Sequence, residues 1–346
     1  MNFAQLRLRS HLGPRTLAVA GVVCVALLAV AATPQLLGSD VRRALAGLEH
    51  ARPIWLWAAA AGFVAALLCN AWVWRSAILL VGGRIDRVRA VACYGVGSLV
   101  NTATPARIGD AARIALFSRA FEGGGSERYW KTGGVFGAIG AARALVLGVL
   151  VLVASVLGAL PRWPLLVLGG FVAAALVAAF LARGRSPHRH VAHVLDAFRA
   201  LWASPLGGAR IVGWVAAATV ARVGGAAAIA AALGVTHPLL AAAIIVPALD
   251  LATLVPLTPG NVGVVSGTVA VALRARGVDL TKALTTGIAL HAIETAVSIL
   301  VGAAGALYLA RFASASGRRR ALAIAGAACI LLVAGAFSAT VFADLV

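Results

Sequence analysis

The sequence predicts an all-α polytopic membrane protein with about seven transmembrane helices and two re-entrant helical hairpins, arranged as an inverted-topology repeat. Three observations predict this class. Hydrophobic residues make up 62% of the 346-residue chain and charged residues only 12%, whereas soluble domains are roughly 45–50% apolar and about 25% charged. The apolar residues form runs long enough to cross a bilayer. The basic residues, which give a formal net charge of +19, form short clusters between those runs, as in membrane topology and not as in nucleic-acid binding.

A transmembrane helix needs about 20 mostly apolar residues, and several runs of the chain meet this requirement. The chain is predicted to be a single membrane domain, 1–346. Its parts are an N-terminal helix and loop (1–53), a first repeat half (54–183), a cytoplasmic amphipathic connection (184–210) and a second repeat half (211–343). The predicted spans are 17–33, 54–82, 132–160, 163–183, 211–233, 281–310 and 321–343.

Two further apolar stretches, 88–104 and 239–256, are each followed by a turn with Pro and then a short helix-like run. The basic residues favour a re-entrant hairpin at each stretch, because cytoplasmic loops are enriched in Lys and Arg. With two hairpins and a cytoplasmic N-terminus, roughly 20 basic residues lie inside and about 7 outside. A full crossing at the first stretch would remove this bias.

The abundance of Ala, Gly and Arg is typical of a GC-rich genome and fits a bacterial source. The predicted location is therefore the bacterial inner (cytoplasmic) membrane.

The two turns share the pattern T-P-x-x-[IV]-G, and its repetition predicts that the halves are related by inversion. Pro breaks each helix, and the helix that follows directs free N–H groups into the protein, which suits an anionic group. The alternative is that both turns are packing kinks. The candidate binding residues in these turns are Thr104, Pro105, Arg107 and Gly109 in the first, and Thr258, Pro259, Gly260, Asn261 and Gly263 in the second.

Ionisable residues inside apolar segments are costly and are therefore candidate site residues. Near the first turn, Asp110 lies three residues from both Arg107 and Arg113, so a helix would place all three on one face. They form either an ion-pair network at the inner surface or a phosphate site, since Arg binds phosphate in bidentate fashion. Asp250 needs an internal partner, either Arg222 or Arg143, and His291 with Glu294 either relays protons or is a self-satisfied pair. The remaining candidates are Asn101, Arg143, Arg222, Asp250, His291 and Glu294.

The sequence contains no pattern that indicates a catalytic site, a cofactor or a metal. The four cysteines, Cys24, Cys69, Cys93 and Cys329, lie in apolar segments without CxxC spacing, and are predicted to be small buried hydrophobic residues. There is no P-loop, so ATP is not an expected energy source. We therefore expect a non-enzymatic protein without a nucleic-acid partner.

The segment Asn101-x-x-Thr104-Pro105-x-Arg107-x-Gly109-Asp110-x-x-Arg113 resembles the "N…P-x-R-x-G-E-x-x-R" signature of the lysylphosphatidylglycerol synthase transmembrane-region family, also called flippase-like. The later segment from Pro256 to Gly263, followed by Gly277-Val278, is similar to that family's second motif. Asp110 stands where the family usually has Glu, and Asn261 stands where it has Gly. Ala142 precedes Arg143 where a Glu-Arg pair is typical.

The resemblance implies that the chain moves or handles a lipid-linked substrate, namely a phospholipid or a polyprenyl-phosphate lipid. One alternative is a membrane-embedded transferase that uses a polyprenyl-phosphate donor. Another is a helper subunit of a separate synthase or glycosyltransferase. The soluble aminoacyl-transferase domain found in some relatives has no counterpart here, because no hydrophilic stretch approaches the size of a domain.

Overall fold

The computed structural model describes residues 51–104, 108–156, 199–252 and 264–312, together with Gly158, Gly169, Gly170 and Asp196. All regular elements in these ranges are helical. The predicted spans 17–33 and 321–343, most of 163–183, and both turns (105–107 and 258–263) lie outside the described residues. The helices are α1 (Pro53–Leu80), α2 (Arg87–Ala103), α3 (Ile108–Phe117), α4 (Gly125–Val156), α5 (Pro205–Ala232), α6 (Pro238–Ala252), α7 (Val264–Arg274) and α8 (Leu280–Ala310), with a 3-10 turn at Ser118–Ala120.

Four of these helices, α1, α4, α5 and α8, are long and apolar enough to cross a membrane. They confirm the predicted spans 54–82, 132–160, 211–233 and 281–310. Two of them begin earlier than predicted. The helix α4 begins at Gly125, where an ion pair of 2.7 Å between Lys131 and Glu127 stabilises a polar first turn. The helix α5 begins at Pro205 inside the predicted connection, because Ser204 caps it and accepts a hydrogen bond from the Gly207 N–H.

The other four helices are short and pack as two consecutive pairs, which we call the first hairpin (α2 with α3) and the second hairpin (α6 with α7). The longest of the four, α2, has 17 residues, which is about 26 Å and shorter than a hydrocarbon core of about 30 Å. The two ends of the first hairpin meet, since the Arg84 N–H donates to the Ala120 carbonyl at 2.8 Å. The first hairpin therefore begins and ends on one side of the bundle.

The ends of the second hairpin lie beside the start of α8. Lys282 Nζ donates to the Gly234 carbonyl just before α6, at 3.2 Å. Asp279, which follows α7, caps α8 by accepting from the N–H groups of Lys282 and Thr281. These backbone hydrogen bonds, that of Lys282 first, lower the pKa of the Asp279 carboxyl. The loops before and after this hairpin are thus fixed at the same end of the bundle.

The packing of the first four helices is repeated by the last four. The helices α1 and α5 pack antiparallel, with Arg52 N–H donating to the Ala232 carbonyl at one end and Gly207 lying against Leu80 at the other. If α1 to α4 are matched in order with α5 to α8, each remaining pair of packed helices has a matching packed pair. For example, α2 packs on α8 as α6 packs on α4. The first hairpin opens at the Leu80 end of α1 and the second at the Arg52 end.

The first hairpin closes on two glycines, Gly97 and Gly109. A Cβ atom added at Gly109 would lie 2.1 Å from the Gly97 carbonyl oxygen and 2.4 Å from Asn101 Oδ1. We expect Gly109→Ala to lower the free energy of unfolding by about 1–3 kcal/mol, because backbone atoms at this contact cannot move aside cheaply. Thermal unfolding of the purified protein in detergent measures the effect. Gly137→Ala is the matched control, since nothing lies within 4 Å of a Cβ there; equal melting temperatures for both variants would contradict the prediction.

A central polar cavity

A polar cavity lies at the centre of the bundle, where the closed ends of the two hairpins meet the long helices. Its volume is about 530 Å³, and an adjoining pocket adds about 230 Å³. The two share lining residues, among them Tyr94, Arg113, Arg222 and Glu294. All four long helices contribute side chains to the cavity near the middle of their length. The cavity is therefore at mid-depth of the spans, where uncompensated charge is most expensive.

The first cluster in the cavity comes from the closed end of the first hairpin. Arg113 Nη1 lies 2.6 Å from Asp110 Oδ1, and Nη2 donates to Ser98 Oγ at 2.8 Å. The guanidinium carbon lies 4.2 Å from the centroid of the Tyr94 ring, and Asn101 Nδ2 donates to Asp110 at 3.2 Å. Arg113 is only 8% exposed. The predicted stacking of Asp110 and Arg113 is confirmed as an ion pair, and both side chains line the interior cavity and not the inner surface. Arg107, the third member of the predicted network, lies outside the described residues.

Two polar atoms of this cluster have no hydrogen-bond partner among the described residues. They are Arg113 Nε and Asn101 Oδ1, and both are buried. A buried polar atom without a partner costs about 1–3 kcal/mol. Arg113 Nε packs against Gly97, where an added Cβ atom would lie 2.7 Å from it, so this nitrogen is enclosed between α2 and α3.

A second cluster, which we call the charged triad, consists of Arg222, Asp250 and Glu294 on three different helices. Arg222 Nη1 forms a short ion pair with Asp250 Oδ1, and Arg222 Nε lies 3.4 Å from Glu294 Oε1. Of the two predicted partners of Asp250, the structure selects Arg222. His291 and Glu294, which were predicted to act as a pair, both line the adjoining pocket. The ionic partner of Glu294, however, is Arg222.

Arg143 is the third arginine of the cavity, and its contacts differ in kind. Its Nη2 donates to Asn70 Oδ1 at 2.5 Å and to the Tyr94 hydroxyl at 3.4 Å. Both partners are neutral, and no carboxylate in the described part of the chain forms an ion pair with Arg143. The Arg143 side chain is exposed, and a guanidinium without a carboxylate partner can pair with an anion that enters the cavity.

Two predicted binding residues have structural roles. The Thr104 hydroxyl donates to the Val100 carbonyl of its own helix at 2.6 Å, and Gly109 forms the hairpin contact described above. Neither lines the cavity or the adjoining pocket. The predicted residues Pro105, Arg107, Thr258, Pro259, Gly260, Asn261 and Gly263 lie outside the described residues.

Several cavity residues were not predicted from the sequence. Asn70 could have been found, because an amide in the middle of the apolar run 54–82 needs an internal partner. Tyr94, Ser98 and Ser298 give no such signal, since tyrosine and serine are common in membrane helices. Among the residues that the structure describes, no group of three or more His, Cys, Asp or Glu side chains is arranged to hold a metal ion.

The model of one protein family, described as lysylphosphatidylglycerol synthase TM region, matches residues 17–302. The match covers well over half of the chain and confirms the family suggested by the two turn motifs. No curated protein matches the chain. The match and the apolar helices together indicate a multi-pass membrane protein with a lipid-related function.

Proposed function

Because the chain belongs to the lysylphosphatidylglycerol synthase TM region family, we propose that it moves a lipid with an anionic phosphate headgroup across the bacterial inner membrane. The substrate is a phospholipid or a polyprenyl-phosphate lipid. No covalent step is part of the proposal. The chain acts as a translocase, and a synthase or glycosyltransferase that makes or uses the lipid is a separate protein.

The observation that carries this proposal is the cation at mid-depth. Arg143 lies in the cavity with neutral partners only, and the Arg113 guanidinium lies nearby, since both arginines contact Tyr94. Two guanidinium groups on one cavity wall can hold a phosphate that has left water, since charge-assisted hydrogen bonds gain strength where the dielectric is low. A charged headgroup that crosses the membrane needs such a binding site near the midplane.

The cavity lining also contains side chains that suit the lipid tail. They are aromatic and aliphatic, and include Phe63, Leu67, Trp74 and Phe136. The Trp74 and Phe136 rings pack 6.1 Å apart between centroids. A cavity lined by both cations and large apolar side chains matches an amphipathic ligand better than a fully polar one such as a sugar or a nucleotide.

The packing of the helices supports a transport mechanism. We propose that the two hairpins are re-entrant and enter the membrane from opposite faces, so that the halves form an inverted-topology repeat. In transporters built this way the substrate site lies near the midplane between the halves, and rocking of one half against the other exposes it to each side in turn. The central cavity lies between the two hairpins, as this mechanism requires.

Thiol labelling tests the re-entrant topology with an N-terminus in the cytoplasm. In a chain whose four native cysteines are replaced by alanine, Gly124→Cys should resist a membrane-impermeant maleimide added to intact cells. Thr236→Cys should react under the same conditions, since both positions are exposed loop residues. Labelling of both sites after cells are opened is the control. Reaction at Gly124→Cys from outside would show that the first hairpin is a full crossing, and the inverted repeat would then be lost.

Lipid movement in reconstituted vesicles tests the proposed function. Purified protein in liposomes should move fluorescent phosphatidylglycerol between leaflets, and dithionite quenching of the outer leaflet measures the rate. Vesicles without protein provide the background. Turnover of an added polyprenyl-phosphate donor would instead establish a transferase. The absence of both lipid movement and donor turnover would contradict the proposal and favour a helper subunit.

A further inference from the structure

We propose that Glu294 takes up a proton when an anionic headgroup enters the central cavity, so that lipid binding and proton binding are coupled. The inference rests on the proposed function and adds the coupled ion to it. It assigns a proton-binding role to the charged triad of Arg222, Asp250 and Glu294, which lies beside the arginines proposed to hold the phosphate.

The triad contains more carboxylates than cations. Arg222 contacts both Asp250 and Glu294, so one positive charge faces two carboxylates. With both carboxylates ionised, the triad carries one net negative charge at mid-depth of the spans. Such a charge is costly where the dielectric is low, and binding one proton removes it.

The contacts of the two carboxylates with Arg222 are unequal. Asp250 makes a short, direct ion pair with a terminal nitrogen of the guanidinium, whereas Glu294 reaches Nε at 3.4 Å, which is a long contact. Protonation weakens the attraction between a carboxyl group and a guanidinium, so the group with the weaker attraction is protonated at lower cost. Glu294 is therefore the proton acceptor of the triad, and Asp250 remains its permanent anion.

Once Arg143 pairs with a headgroup, no other cation around Glu294 is left to compensate the triad among the described residues. Arg113 is paired with Asp110, and the neutral contacts of Arg143 leave its charge free for the headgroup. The helices α1 and α7 contribute side chains that do not titrate, such as Asn70 and Val265. The titratable and charged neighbours in the cavity and the adjoining pocket are Tyr94, Asp110, Arg113, Arg143, Arg222, Asp250 and His291.

An arriving phosphate strengthens the effect. The ionised groups that line the main cavity, among the described residues, are three arginines and three carboxylates, Arg113, Arg143, Arg222, Asp110, Asp250 and Glu294. Their charges balance before the lipid binds. A phosphate adds one negative charge inside the same low-dielectric space, so the proton affinity of the most weakly held carboxylate rises. Proton uptake at Glu294 restores the balance.

Calorimetry with a soluble lipid tests the coupling. A short-chain phosphatidylglycerol is titrated into the purified full chain in two buffers of different ionisation enthalpy. The wild-type protein should take up about one proton per lipid bound, so its affinity should rise as the pH falls, by at most about tenfold per pH unit. The phosphodiester of this probe does not titrate near neutral pH, so the proton belongs to the protein.

Variants locate the proton. Glu294→Gln mimics the protonated carboxyl, and it should bind the probe with an affinity independent of pH and without proton uptake. Glu127→Gln is the matched control, since Glu127 pairs with Lys131 at the start of α4, outside the cavity, and it should behave like the wild type. Should Glu294→Gln not fold, the wild-type titration in two buffers still decides whether a proton is bound.

The outcomes separate this inference from the proposed function. Binding without proton uptake in the wild type, or undiminished uptake in Glu294→Gln, would overturn the coupling and leave the lipid site intact. Absence of binding would overturn the lipid site itself and the coupling with it. Uptake lost in Glu294→Gln and retained in Glu127→Gln supports the coupling at this side chain.

Discussion

Replacing Arg222 with alanine should lower the free energy of unfolding by roughly 3 kcal/mol. The reason is that the substitution leaves Asp250 and Glu294 facing each other without a cation. Breaking a buried ion pair by removing one partner costs about 3–5 kcal/mol, and the 24% exposure of the Arg222 side chain favours the lower end of that range. The melting temperature of the purified protein and its level in membranes measure the loss.

Neutralising the partners should restore stability. The triple variant Arg222→Gln, Asp250→Asn, Glu294→Gln has no charge left in the triad, so we expect its melting temperature to return most of the way to that of the wild type. Arg210→Ala is the matched control for loss of an arginine, since Arg210 is exposed near the start of the same helix. If Arg222→Ala melts like Arg210→Ala, the triad does not stabilise the fold and its charge argument is wrong.

Replacing Arg143 with alanine should reduce the rate of lipid movement by about 10- to 100-fold, because a hydrogen bond to a charged group contributes about 1.5–3 kcal/mol. Stability should change little, since Arg143 is exposed and makes hydrogen bonds to neutral partners only. Arg222 is thus expected to be needed for stability, and Arg143 for the rate of lipid movement. Dithionite quenching in vesicles and thermal unfolding measure the two effects.

Conservative replacement distinguishes binding from charge alone. Arg143→Lys keeps the charge but cannot offer the planar fork of a guanidinium, so it should recover only part of the lost rate. Arg210→Ala again serves as the control and should move lipid at the wild-type rate. Normal movement in Arg143→Ala would place the headgroup elsewhere, and a large loss of stability in that variant would make Arg143 a structural residue.

Much of the helical framework could be predicted because the membrane limits the alternatives. A backbone inside the bilayer must satisfy its hydrogen bonds internally, so long apolar runs become helices. This is why the four described spans agree with those predicted. The start of α5 at Pro205 was missed, although Ser204-Pro205 is a recognisable start of a helix; hydropathy alone gave the later boundary of 211.

The site was predictable where it depends on local periodicity. Asp110 and Arg113 are three residues apart, and helical geometry alone brings them together. The contact of Arg143 with Asn70 joins residues 73 positions apart, and periodicity within one helix cannot reveal which helices meet. For the same reason the sequence offers Arg222 and Arg143 equally as partners for Asp250, and only the packing of α5 on α6 chooses between them.

Glycines show a similar limit. The chain contains 38 glycines, and composition does not distinguish Gly109, which closes the first hairpin, from Gly137, which has open space around it. The difference arises from the approach of α2 to α3, which is a tertiary contact. The structure therefore shows which of these glycines is needed for close packing, and the sequence alone does not.

The measurement that most directly tests the central claim is the position of a bound phosphate. We predict that electron cryomicroscopy of the full chain in nanodiscs containing phosphatidylglycerol, with a rigid antibody fragment bound, will show headgroup density in the central cavity. The phosphate should lie within hydrogen-bond distance of the Arg143 guanidinium, with the acyl chains against Trp74 and Phe136. Lipid density confined to the outer surface of the bundle, with the cavity free of any headgroup, would contradict the account.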